Sequence, residues 1–238
     1  PQQPAPAPAP APKAQPQQPD AKPQAAPKPQ VDPNSPGEQC DRLAGDQEDP
    51  LRNTNYRIVR VVNHEKAIPA CEAASAADPK NLRYANQLGR ALIVAKRYDE
   101  AAKLFAATAD KGSAYANGEM GFLSFRGWGG VQKDYAQARR WFEKAAAMGV
   151  KMSISNLAYM PAHGIGGPRD PEKAVALYNR GVALDHSASI TGLGDLYDLG
   201  IGVPKDFARA KALHQQAAAL DDPDAMNALG FFAQHGKG

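Results

Sequence analysis

No run of 18 apolar residues occurs in the 238-residue sequence, so no transmembrane helix is expected in this chain. Excess charge of one sign is missing too: 28 Lys and Arg stand interspersed with 25 Asp and Glu, for a net charge of +3. Lys13, Lys22 and Lys28 against Asp20 supply two of those charges near the N-terminus, which leaves the rest near neutral. A nucleic-acid partner would need a clustered basic face, so none is expected. The motifs Gly-x-Ser-x-Gly and His-Glu-x-x-His are absent, as is a Cys-His pairing with a supporting acid. No catalytic residues and no cofactor are therefore expected.

Cysteine is scarce: Cys40 and Cys71 are the two present. One reading joins them in a disulfide, worth about 3 to 4 kcal/mol in the chain-entropy treatment and pointing to an oxidising compartment. The other leaves two unrelated buried thiols acting as small hydrophobes. Cys40 precedes any strong helical pattern and would need tying down, which favours the first. The chain opens Pro1-Gln2-Gln3 without a Met, from which we expect that an upstream piece has been removed.

What the sequence does contain begins with proline: 13 of its 21 prolines lie in residues 1–36, alternating with Ala and then with Gln and Lys. Such a tract has little apolar bulk to offset ordering entropy and favours extended polyproline II. Residues 1–36 are expected to form a disordered, semi-rigid spacer. Beyond them a repeat emerges. Asp134, Asp170 and Asp206 are spaced by 36, as are Ala138, Ala174 and Ala210, and Leu157, Leu193 and Leu229.

One unit, residues 187–221, reads as an apolar-periodic segment ending Gly192-Leu193-Gly194-Asp195-Leu196-Tyr197. The loop Gly200-Ile201-Gly202-Val203-Pro204-Lys205-Asp206 and a second segment over 208–220 follow. Gly200 is placed to cap the first helix and Asp206 to cap the next. Alanines at 208, 210, 212, 217, 218 and 219 allow close helix approach. Units of this kind also cover 150–185 and 113–149, the latter one residue longer in its loop, with a partial unit over 222–238 that stops inside its loop and would leave an apolar edge open. Residues 81–111 read as a helical pair without the glycine-rich loop, and 67–78 as the second helix of an earlier unit, with Pro69 in its first turn or kinking it. Hairpins that cannot bury their apolar stripes alone must stack. The expectation is an all-α, right-handed α-α solenoid of about four and a half hairpins. Its domains would be a spacer (1–36), N-terminal helical units (37–112) and the repeats 113–149, 150–185, 186–221 and 222–238.

These residues resemble the Sel-one-like repeats (SLR), relatives of the tetratricopeptide repeat. Leu193, Gly194, Tyr197, Gly200, Gly202 and Val203 match the first half of the family pattern. Asp134, Ala138, Trp141, Ala145, Ala146 and Gly149 match the second. Residues 67–109 are closer to the tetratricopeptide form, with Ala67, Ala74, Pro79, Gly89, Ala102 and Phe105 in register. Ser124, Pro161 and Ala233 depart from the family's Tyr, and Pro161 is expected to bend or shorten its helix. Asp185 and Asp221 stand where the family closes with Gly.

The resemblance implies a curved scaffold whose inner surface, lined by the first helix of each pair, binds a protein or peptide. In bacteria such proteins are often periplasmic or secreted. Some regulate signalling, including through sensor kinases, and others are modules attached to enzymes such as caspase-like peptidases, so an accessory role or an envelope regulator are the alternatives to a stand-alone adaptor. The cysteine-rich subset linked with penicillin binding is not matched, since those cysteines are missing.

His64, His163, His186, His214 and His235 lack metal-ligand spacing; His163 and His235 sit two units apart, about 20 Å in a stack of roughly 10 Å layers. Asp195 and Asp198, three apart on one helix, read more readily as surface than as a catalytic pair. Trp128, in the loop Gly127-Trp128-Gly129-Gly130, is either a contact residue or a lid on its neighbour. Positions flanking the small residue of each first helix give the candidate binding set: Asn86, Arg90, Phe122, Phe125, Arg126, Tyr159, His163, Asp195, Asp198, Phe231 and Gln234. Its aromatic and Arg content is that of a binding hot spot, or else its phenylalanines are packed between helices.

Overall fold

The computed structural model describes residues 32–45 and 62–236. The spacer expected over 1–36 therefore lies mostly outside the described residues, as do 237 and 238. Among the described residues there are eleven helices and no strand. They are α1 (Pro36–Ala44), α2 (His64–Ala77), α3 (Leu82–Val94), α4 (Tyr98–Asp110), α5 (Ala114–Arg126), α6 (Tyr135–Ala147), α7 (Lys151–His163), α8 (Pro171–Val182), α9 (Ser187–Leu199), α10 (Phe207–Ala218) and α11 (Pro223–His235). Each packs on the next, so successive hairpins stack as an α-α solenoid, and α7 also touches α9 directly.

Helix boundaries follow from short-range chemistry. Asp134, Asp170 and Asp206 each accept a hydrogen bond at 2.9 Å from the amide three residues on, satisfying one orphan donor of α6, α8 and α10. Gly127, Gly164, Gly200 and Gly236 close α5, α7, α9 and α11 in the left-handed conformation. Between these caps, the Asp134, Asp170 and Asp206 amides donate to the carbonyls of Ser124, Pro161 and Tyr197, each at 3.0 Å, and fix the loop across the hairpin. Pro161 therefore neither shortens nor interrupts α7, which runs 13 residues like α5 and α9. The position is read through its carbonyl, which proline keeps, and the missing N–H costs one bond near the helix end. Pro69 lies within α2, beyond its first turn, and the helix continues through it.

The first pair is completed by α1, a helix that begins at Pro36, inside the stretch assigned to the spacer. Ser35 caps it through the Glu38 amide. The Cys40–Cys71 disulfide, with Cα atoms 4.7 Å apart, ties α1 to α2. The carboxylate of Asp41, only 1% exposed, accepts two bonds from Arg83 (2.9 and 3.0 Å) and one from Gln87 (2.8 Å), which secures α1 to α3.

The core between hairpins is built on alanine. Ala101, Ala138, Ala174 and Ala210 occupy the same place in four successive second helices and are fully buried. One ring per unit fills the remaining space: Phe105, Phe142, Tyr178 and His214 are equivalent and all buried. Gly89, Gly121 and Gly194 leave room for three of them, since an added Cβ would lie 2.4, 2.6 and 2.8 Å from Phe105, Phe142 and His214.

Candidate functional site

Five first helices, α3, α5, α7, α9 and α11, carry the candidate binding set, and the structure divides it into four. At the N-terminal end Asn86 and Arg90 belong to the packing. Asn86 is buried and its Oδ1 accepts from the Ser113 hydroxyl at 2.9 Å. Arg90 is half-buried and donates to the Ala44 and Gly45 carbonyls at 3.3 and 2.9 Å, capping the C-terminus of α1. The repeat register leaves Arg90 on an open face because it does not include α1, whose last carbonyls Arg90 caps, whereas Asn86 is held by Ser113 before α5.

On α5 the phenylalanines are half-buried. Phe125 meets Tyr135 edge-on at 5.4 Å, and Phe122 meets Trp128 edge-on at 5.6 Å. Trp128 in turn stacks on Tyr98 of the preceding hairpin at 4.5 Å, so it is a lid on its neighbour. The exposed Arg126 guanidinium lies 5.4 Å above both Phe122 and Trp128. The α5 part of the set is thus an aromatic seam between units, with a cation on its outer side.

The third part forms a recess. Tyr159 and His163 of α7 and Asp195 and Asp198 of α9 line one pocket of about 170 Å³. Tyr178, Gly192, Leu196, Leu199 and Ile201 complete the lining. Tyr159 is 44% exposed and Leu199 58%. Sequence reasoning missed Leu199 and Tyr178. Leu199 occupies the place in α9 that His163 has in α7, so the same register argument could have found it; Tyr178 lies on a second helix and reads as core.

Electrostatics in this recess run one way. Burial pushes the Asp195 carboxyl up to about 6, and the negative charges of Asp198, Asp224 and Asp222 add to the shift. Its side chain keeps 56% of its surface open, so the desolvation is that of a concave wall rather than of a core. Burial, together with the nearby Arg169, lowers the His163 imidazole. The Tyr178 phenol is raised, first by burial and then by Asp195. Behind Asp195 lies His214, 1% exposed, its Nε2 3.7 Å from Asp195 Oδ1, beyond hydrogen-bond distance. Its Nδ1 is buried without a protein partner, and burial lowers its pKa, which favours the uncharged imidazole.

At the C-terminal end Phe231 is 46% exposed and lies against the tilted ring of His235 at 4.0 Å, and Gln234 is exposed. A larger pocket of about 360 Å³ lies on the other side of α7, against α6 and α8, where Arg139, Lys173 and Arg180 mix with Glu143 and Asp170. Arg139 and Arg180 donate to the carbonyls of Gly166 and Ala146 at 3.2 and 3.3 Å. Among the described residues no group of three or more His, Cys, Asp or Glu is placed to hold a metal ion.

The Sel1 repeat profile matches residues 114–150, 152–186 and 187–222. Among solved structures, the chain is similar to a Sel1 repeat protein from Oxalobacter formigenes: 26% identity, 70% of this chain and 68% of that one, TM-score 0.62. It is also similar to c5321, a protective antigen of uropathogenic Escherichia coli strains with an SLR fold, at 29% identity over 72% of this chain and TM-score 0.53. The chain spans only 37% of that antigen's length. No curated protein matches it. With the caps, loops and buried alanines recurring in step with the three matched segments, residues 114–222 form three Sel1 repeats.

Proposed function

We propose that this chain is an adaptor that binds a segment of a protein partner along the face lined by its first helices, in the cell envelope. Sel1 repeats are typically scaffolds for protein–protein interaction and are generally non-catalytic. The observation that carries the finer reading is the exposure of large apolar side chains on successive first helices: Tyr159 at 44%, Leu199 at 58% and Phe231 at 46%. Isolated exposed apolar residues are ordinary, but a row on one side of a stack, beside charged groups, has the composition of a binding surface. The Cys40–Cys71 disulfide supports an oxidising compartment, since such bonds persist outside the reducing cytosol.

The test is a crosslinking pull-down from envelope extracts with the whole chain, comparing wild type with a variant carrying Tyr159→Ala, Leu199→Ala and Phe231→Ala. A partner lost in the variant while its helical circular dichroism and melting are kept supports the first-helix face. A partner retained equally by both moves the site to the second helices or the loops.

A further inference from the structure

Resting on that reading, we infer that the recess between α7 and α9 receives the side chain of a lysine or arginine in an extended segment of the partner protein. Its lining has the two halves such a side chain requires. Tyr159, Tyr178, Leu196, Leu199 and Ile201 offer apolar wall for the methylene stem, and Asp195 and Asp198 offer carboxylates for the head group. A volume of about 170 Å³ suits one long side chain and is too small for a folded element.

Charge complementarity selects the sign. No lysine or arginine lines the recess among the described residues, and its one imidazole, His163, is held toward the neutral form. Groups near Asp195 include Asp198 on its own helix, His214 on α10, Tyr178 on α8, Tyr159 on α7, and Asp222 and Asp224 at the start of α11. Arg169, whose Nε donates to the Ala162 carbonyl at 3.0 Å, is the cation nearest the His163 end. The Asp195 carboxyl is raised first by burial and then by the charges of Asp198, Asp224 and Asp222, so its surroundings disfavour the charge it carries at the wall of the recess. An entering cation would lower that pKa and recover the repulsion.

The exposed ring of Tyr159 and side chain of Leu199 identify a peptide as the carrier. They extend apolar surface at the mouth of the recess, which a hydrated ion or a small polyamine would leave uncovered and neighbouring side chains of a chain segment would cover. The larger pocket against α6 and α8 makes the contrast: its basic and acidic groups are mixed and two of its arginines are committed to backbone carbonyls.

The experiment uses the whole chain as bait for a phage-displayed library of random dodecapeptides. Selected peptides are resynthesised and titrated by fluorescence anisotropy against wild type, Asp195→Asn, Asp195→Asn with Asp198→Asn, and Tyr159→Ala. Helical content and melting of each variant are checked alongside. We expect enrichment of Lys and Arg over the library, affinity falling about tenfold or more in the double variant, and weaker binding at higher salt. Asp195→Asn is isosteric and removes a charge that its surroundings disfavour, so it keeps the fold. Selected peptides without basic enrichment, or with equal affinity for wild type and both Asn variants, overturn the cation recess and leave the adaptor reading standing. If no peptide is selected at all, both fall.

Discussion

Two halves of this solenoid hold their helices together by different means. In α1–α4 the fastenings are individual and long-range. Cys40 is bonded to Cys71, Asp41 is clamped by Arg83 and Gln87, and Arg90 caps α1 from 45 residues away. In α5–α10 they are periodic and backbone-based. The second loop glycine of each unit presses on the start of the preceding second helix: Gly129 on the Tyr98 carbonyl, Gly166 on Tyr135 and Gly202 on Pro171. A Cβ at Gly202 would lie 2.8 Å from the Pro171 backbone, and its φ of 70° disfavours a side chain in any case. Periodic contacts come free with each added repeat, whereas a short terminal helix such as α1, with nine residues and little apolar surface, needs a covalent bond and a buried ion pair to stay in place.

The largest expected effect tests this difference directly. Replacing Cys40→Ser and Cys71→Ser together should cost about 3 to 4 kcal/mol, by the loop-closure argument for a separation of 31 residues. The loss should be local: hydrogen exchange should accelerate in α1 and α2 and stay slow in α6–α9. If protection falls equally throughout, the stack unfolds as one unit and the two halves are not energetically distinct.

A smaller effect sharpens the other side. Gly202→Ala meets both a positive φ and the Pro171 backbone, and should lower stability by about 3 kcal/mol. Gly149 also has a positive φ, of 94°, but nothing lies within 4 Å of its missing Cβ, so Gly149→Ala should cost about 1 kcal/mol. The difference, read from urea unfolding midpoints, measures the loop-to-helix contact alone. Equal costs would mean that the glycines are retained for their dihedrals only.

The same contrast explains what was legible in the sequence. Asp134, Asp170 and Asp206 and the loop glycines act within a few residues of themselves, so their chemistry shows in the spacing, and the helix pairs of the repeats follow. The fastenings of α1 act across more than 30 residues and leave no local pattern, so the repeat register leaves Arg90 on an open face where the structure has it capping α1. Pro161 misled for a related reason: proline's effect on a helix is local and strong, while what the fold uses at that position is a carbonyl. Tyr159, His163, Asp195 and Asp198 line one recess, a proximity that follows from the repeat spacing alone. Which neighbours close the recess, Tyr178 and Ile201 among them, depends on packing between units.

The smallest effect concerns the one position where the periodic half departs from its own rule. Three units fill the space beside the small residue with Phe105, Phe142 or Tyr178, and the fourth uses His214, whose Nδ1 is buried without a protein partner. A buried polar atom left unsatisfied costs on the order of 1 kcal/mol or more. His214→Phe, which matches the ring of the equivalent positions, should therefore raise stability by about 1 kcal/mol, seen as a rise of a few degrees in the melting temperature. A fall instead would mean that the polar edge of His214 toward Asp195, 3.7 Å away, is worth more than the packing of a phenyl ring. The fourth unit would then be held by the chemistry of its recess, and Asp195 would be a member of the core as well as of the binding face.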